Sequence, residues 1–136
     1  MPTDFPRADR LTIGFAHAAY RLGDCFAARK TGIRFFEVRS LDDLKARANE
    51  ADVLVLSGLW RNELFAQAGK LRFVQSVSAG VDQYDKAAFA ARFIRLASAQ
   101  GANERAVSEH AIALILAMAR MIPGARDNQA RGHWRP

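Results

Sequence analysis

Leu71-Arg-Phe-Val-Gln-Ser-Val-Ser-Ala-Gly-Val-Asp82 carries the decision about the fold. Its apolar, β-branched centre reads as a short buried strand, and it runs directly into a turn of small residues. A strand that ends in such a turn leaves backbone N–H groups free to hold an anion, so the stretch points to a parallel α/β sheet with a carboxylate site at its carboxyl edge. About twenty residues on, Asn103-Glu-Arg-Ala-Val-Ser-Glu-His110 opens a long apolar helix. A helix start presents unpaired donors and a positive dipole end, and the two ends are expected to face one cleft.

Outward from that stretch the same alternation repeats. Leu11–Ala16, Ile33–Val38, Val53–Leu56, Phe73–Val77 and Ile94–Ala97 are strand-like runs separated by helix-length intervals. Ala18–Lys30, Leu41–Asn49, Arg61–Ala68 and Lys86–Ala91 read as the covering helices, with Ser40 as an N-cap ahead of Asp42 and Asp43. Right-handed crossovers then give a flavodoxin-like, open, five-stranded parallel sheet with flanking helices in the order 2-1-3-4-5. Its ligand edge is expected from three loops: His17–Tyr20, Ser57–Trp60 and Ser78–Val81.

The last third follows a different pattern. Ala111–Ala119 is apolar around its whole circumference, so the helix needs cover on more than one side, and Pro123 is placed to start a second helical piece after a break. The organisation expected is a loose lead-in over residues 1–10, a substrate-binding domain over 11–102, and a long helix with its tail over 103–136.

Composition narrows the function. The 136 residues, half of them hydrophobic, suit one domain with a single core. Cys25 is the only cysteine, which excludes an internal disulfide, favours a reducing cytoplasmic setting and reads as a buried thiol. The first ten residues have no signal-peptide pattern, and nine consecutive apolar residues fall well short of the about 20 that a membrane span requires. The net charge of +6 is scattered over Arg29/Lys30, Lys45/Arg47 and Arg126/Arg131 beside acidic residues, which argues for a solvated basic surface and against a nucleic-acid partner.

Phe73 to Asp85, Asn103 to His110, Ile122-Pro123 and Gly132-His-Trp134 together resemble, in order and spacing, the substrate-binding portion of the D-isomer-specific 2-hydroxyacid dehydrogenases. The resemblance covers nearly the whole chain and is weakest before residue 50. Two departures are Ser108, where alanine is common, and the charged pair Glu104-Arg105. The resemblance implies hydride transfer between NAD or NADP and a small 2-hydroxy or 2-oxo acid, in a cleft between this domain and a Rossmann domain expected to follow Pro136. No two of the nine glycines are separated by a single residue, so G-x-G-x-x-G is absent, and the fragment alone is expected to be inactive and to hold no cofactor tightly. The family's catalytic arginine, glutamate and histidine belong to the part after Pro136, and the pair Glu109-His110 is given a structural role.

By the same resemblance the N–H groups of Ala79 and Gly80, next to Ser78, hold the substrate carboxylate, with Gly80 free to take a positive φ. Ser57, Gly58 and Trp60 help select the acid side chain, Trp60 being either a packed surface aromatic or a pocket wall. Asn103 lies at the cofactor-facing mouth, as an N-cap, or both. Trp134 either reaches a neighbouring subunit's site or is an exposed tail residue, and the 103–122 helix is expected to build a homodimer. His17 and His133 receive no role. Two other classes remain open: a stand-alone flavodoxin-like module such as a phosphoryl-accepting receiver, which would need carboxylates that Gly14–Ala18 does not offer, and a pure assembly piece.

Overall fold

The computed structural model describes residues 5–134. Its strands are β1 (Thr12–Ala16), β2 (Arg34–Val38), β3 (Val53–Leu56), β4 (Phe73–Ser76) and β5 (Arg95–Ala97), all paired in parallel in the order β2-β1-β3-β4-β5. That is the expected sheet and order. Each strand lies at or within one residue of the expected apolar run, because β-branched and aromatic side chains favour the half-buried pleat and every neighbour in a parallel sheet is reached through a crossover.

The crossovers carry α1 (Leu22–Ala27), α2 (Leu41–Arg47, continued by a 3-10 turn over Ala48–Glu50), α3 (Leu64–Gln67) and α4 (Lys86–Ala91). Ser40 caps α2 as expected, its Oγ accepting the Asp43 N–H at 3.1 Å, and Asp85 does the same for α4 with the Ala88 N–H at 3.0 Å. Two helices are shorter than their sequences suggest. Ala18 to Arg21 stay outside α1 because His17 Nδ1 accepts the N–H groups of Ala19 (3.0 Å) and Tyr20 (2.9 Å) and folds that segment into a loop. Arg61–Glu63 form a turn ahead of α3.

The core is built from Leu54, Leu56 and Val74 of the central strands against Leu44, Leu64 and Phe89 of the helices, all fully buried or nearly so. Gly14 in β1 makes that packing fit: a Cβ there would lie 2.6 Å from Phe36 Cζ and 2.7 Å from Leu54 Cδ2. Asp52 is buried beside β3 and locks the amino edge, its Oδ2 accepting the Thr12 N–H at 2.9 Å. Cys25 departs from expectation. It is exposed, because the six-residue α1 turns Gly23 and Phe26 inward and leaves Cys25 on the outer side.

The chain divides into two compact units between Ala99 and Gln100. The second holds α5 (Glu104–Ala119) and α6 (Ile122–Ala130), which meet at 59° across a break. Met121 makes that break in the left-handed conformation (φ 56°), and Pro123 sits in the first turn of α6 as the sequence suggests. No residue of α5 is buried, and Val107, Ile112, Leu114, Ile115, Leu116 and Met118 are all more than half exposed. Among the described residues no single helix is long and apolar enough to cross a membrane.

Candidate substrate-carboxylate site

The three loops proposed for the carboxyl edge do follow β1, β3 and β4, and the last rungs of the ladder hold two of them side by side. Val77 donates its N–H to the Leu56 carbonyl at 3.1 Å, carrying the β3–β4 pairing one residue past the strands. Immediately beyond it the hydroxyls of Ser57 and Ser78 are hydrogen-bonded to each other, so the two loops are joined by their first side chains.

Ser76 organises the turn from beneath. It is fully buried, its Oγ accepts the Ser78 N–H at 3.2 Å, and the same hydroxyl donates to the Ser78 carbonyl at 3.2 Å. That carbonyl also accepts the Ala99 N–H at 3.1 Å, which ties the turn to the end of β5. Farther round, Tyr84 closes the turn onto Val81 through its N–H (3.0 Å) and reaches back with its buried hydroxyl to the Leu56 carbonyl (3.3 Å). Around this framework the N–H groups of Ala79 and Gly80 have no hydrogen-bond partner among the described residues, and both residues are exposed. Unpaired, adjacent amides on exposed residues held by a hydrogen-bonded support can take a carboxylate or another small oxyanion.

Several expectations change in detail. Gly80 does not adopt a positive φ; the left-handed glycine of this edge is Gly58, at φ 74°. A Cβ on Gly80 would meet nothing within 4 Å, so space above the turn is what glycine leaves open there. Trp60 is neither a surface aromatic nor an open wall. It is 2% exposed, with ring centroids of Phe65 and Phe89 at 5.0 and 4.8 Å and its indole N–H donated to Asn62 Oδ1 at 3.2 Å. It supports the Ser57–Gly58 loop from the core. Arg61 fixes the same loop from outside, its guanidinium donating to the carbonyls of Gly58 (3.0 Å) and Trp60 (2.7 Å).

In the second unit, Asn103 occupies the N-cap position of α5, but its side chain makes no cap hydrogen bond; only its carbonyl is used, by the Val107 N–H at 2.9 Å. The expected side-chain cap is therefore absent, because φ −115° and ψ 3° do not give the extended backbone that aims a cap oxygen at the next turn. Glu109 pairs along the helix with Arg105 at 2.7 Å. Trp134 is 87% exposed and lines, with Ile122 and Ala125, a groove of about 650 Å³ along α6.

The sequence gives no role to Ser76, Tyr84, Arg61 or His17. Ser76 alone left a signal: a hydroxyl at the inward phase of the alternation Val74-Gln75-Ser76, one step before the turn, has to find a backbone partner. Among the described residues no three His, Cys, Asp or Glu side chains gather into a metal site.

The sequence of residues 17–132 matches the family description "D-isomer specific 2-hydroxyacid dehydrogenase, catalytic domain". D-3-phosphoglycerate dehydrogenase of Mycobacterium tuberculosis (strain ATCC 25618 / H37Rv) is 35% identical over 103 residues, which are 74% of this chain and 19% of that protein. Erythronate-4-phosphate dehydrogenase of Aeromonas salmonicida is 38% identical over 72 residues, 52% of this chain and 19% of the relative. Among solved structures, a D-isomer specific 2-hydroxyacid dehydrogenase family protein from Aeromonas salmonicida superposes with TM-score 0.69 at 24% identity, covering 93% of this chain and 41% of the other. NAD-dependent formate dehydrogenase from Staphylococcus aureus, solved in complex with NAD, superposes at 0.67 and 19% identity, with 92% and 43% covered. These superpositions show the shared fold. The chain spans about a fifth of the length of the curated relatives it matches.

Proposed function

We propose a function for a chain that belongs to the D-isomer specific 2-hydroxyacid dehydrogenases: it is the substrate-carboxylate half of an oxidoreductase that moves a hydride between a nicotinamide cofactor and a small 2-hydroxy or 2-oxo acid. The observation that carries this reading is the pair of unpartnered, exposed amides at Ala79 and Gly80, set on a turn that Ser76, Ser78 and Tyr84 hold in place. In this role the two N–H groups grip the acid's carboxylate, and the Ser57 and Gly58 loop, joined to the turn through Ser78, bounds the substituent on the neighbouring carbon. Arg61 adds a positive charge beside that loop and favours anion entry.

NAD or NADP supplies the hydride chemistry when bound. The residues here do not provide its pyrophosphate loop, since no glycine pair has the required spacing, so we assign the cofactor and the acid–base groups to another part of the protein. What this chain contributes is orientation: a carboxylate fixed at two amides presents one face of the adjacent carbon, and fixing geometry in this way can remove about 7 kcal/mol of barrier in favourable cases. Asn103 belongs to the cofactor side of this arrangement. The exposed apolar side chains of α5 favour a second copy of this chain as their cover, giving a homodimer through residues 103–122, with Trp134 as the residue offered to the neighbour. A single cysteine suits a reducing, cytoplasmic compartment.

The test has two arms. Titrating the chain with oxamate should move the backbone amide resonances of Ala79 and Gly80 more than any others, and shifts spread without focus would overturn the site. The chain with NADH and glyoxylate, hydroxypyruvate or pyruvate should show no turnover. Clear turnover from these 136 residues would contradict the division of labour.

A further inference from the structure

The cations that look dispersed along the sequence are gathered by the fold. At the amino edge of the sheet, where Thr12 opens β1 and Arg34 opens β2, an open cavity of about 750 Å³ is lined by Lys30, Arg34, Arg47 and Lys70, with Glu50 as the one carboxylate. Its floor is apolar, from Phe26, Ile33 and Phe35. Four cations against one anion leave +3 in a pocket of ligand-binding size, although the whole chain carries only +6. β1, β3 and β4 are four or five residues long, which puts this cavity roughly 15 Å from the Ser78–Gly80 turn at the opposite edge.

The donors are available. Lys30 makes no ion pair or side-chain hydrogen bond among the described residues, and Lys70 makes none either but acts through its charge on the Glu50 carboxylate. Arg34 uses Nη2 on the Arg10 carbonyl at 2.9 Å and keeps most of its donors free. Arg47 is held in place by Glu50, at 2.9 Å through Nε and 2.8 Å through Nη2, and stacks on the Phe36 ring at 4.1 Å, which fixes its plane and leaves Nη1 without a hydrogen bond to the described residues. Lys30 stands in the left-handed region at φ 50° just past the end of α1, where glycine would be less strained, and it lines the cavity.

We propose that this cavity binds a small molecule bearing a diphosphate or two closely spaced phosphate groups with at least one terminal phosphate. Two ammoniums without a direct ion pair and two guanidiniums, offset by Glu50, match a charge of −3 or so, and a single ligand carboxylate would neutralise only part of them. The apolar floor leaves room for a planar organic group attached to the phosphates. This site is independent of the carboxylate turn.

Calorimetric titration of the chain with inorganic pyrophosphate, at ionic strength near 0.15 M, reads the site directly. One molecule should bind per chain. Lys30→Gly should weaken binding by about fivefold while leaving the melting temperature unchanged or raised, since the left-handed backbone is relieved. Lys70→Gln should weaken it similarly, and Glu50→Gln should tighten it, because a repelling charge goes and the Arg47 fork is released. ADP as a second probe separates the sources: tighter binding than pyrophosphate assigns a nucleotide-like ligand using the apolar floor, and equal binding assigns the diphosphate alone. Failure of both probes to bind, or binding indifferent to Lys30→Gly, Lys70→Gln and Glu50→Gln, would overturn the proposal.

Discussion

Replacing Ser76 with alanine removes one hydroxyl and, with it, two contacts to the same residue: the bond accepted from the Ser78 N–H and the bond donated to the Ser78 carbonyl, both 3.2 Å. The two losses are unequal. The Ser78 carbonyl keeps the Ala99 N–H at 3.1 Å, so that contact costs only a net hydrogen bond, and both contacts are long, at the weak end of the usual range. The Ser78 N–H keeps no partner, and Ser78 is half-buried, so water can repair part of the loss. The two contributions together come to about 1–2 kcal/mol. With a urea dependence of about 2 kcal/mol per molar, the unfolding midpoint should fall by roughly 0.5–1 M without a change of slope. Oxamate affinity should drop as well, because the amides at Ala79 and Gly80 stand on the turn that Ser76 fixes. Ser78→Ala removes only the link to Ser57 and spares those backbone contacts, so it should cost less. A Ser76→Ala midpoint within about 0.2 M of the parent, or a Ser78→Ala loss exceeding it, would refute the assignment of Ser76 as the support of the turn.

Gly14→Ala should destabilise by about 1–3 kcal/mol in a thermal or urea melt, since the added methyl meets the Phe36 ring and Leu54, which are themselves packed in the core; a neutral result would show that β1 can shift. Ser40→Ala should cost about 1 kcal/mol through the lost cap of α2, measured the same way. Arg47 holds the Glu50 carboxyl below its usual range through their hydrogen bonds, so the stability this pair contributes is present above the ordinary glutamate value and is lost as pH falls through the depressed one; Glu50→Gln should flatten that acid limb of a stability–pH curve. Leu114→Glu with Met118→Glu should shift the chain to monomer in sedimentation, and an unchanged assembly would remove α5 as the interface.

The sheet was legible because its signals are local. The strand Val53–Leu56 falls on its apolar run and the helix Lys86–Ala91 in the interval read as a covering helix, and the break before Pro123 follows from proline's fixed φ. Contacts between segments left no such mark. The shortening of α1 depends on one ring nitrogen of His17 accepting two amides, which no periodicity reports. The burial of Trp60 depends on Phe65, Tyr84 and Phe89 converging from two later helices and a turn. Small residues mark the carboxylate turn in the sequence, but they do not show which glycine takes the positive φ: Gly58 does, and Gly80 does not. Basic residues spaced along the chain looked diluted until the amino edge of the sheet drew Lys30, Arg34, Arg47 and Lys70 together.

Hydrogen exchange resolved at single amides tests the carboxylate turn most directly. Without ligand, the Ala79 and Gly80 N–H groups should exchange near the rate of an unprotected peptide, while the Val77 N–H, bonded to Leu56, is strongly protected. Saturating oxamate should then slow Ala79 and Gly80 selectively. Protection of these two amides in the free chain, or exchange that oxamate leaves untouched, would contradict the account.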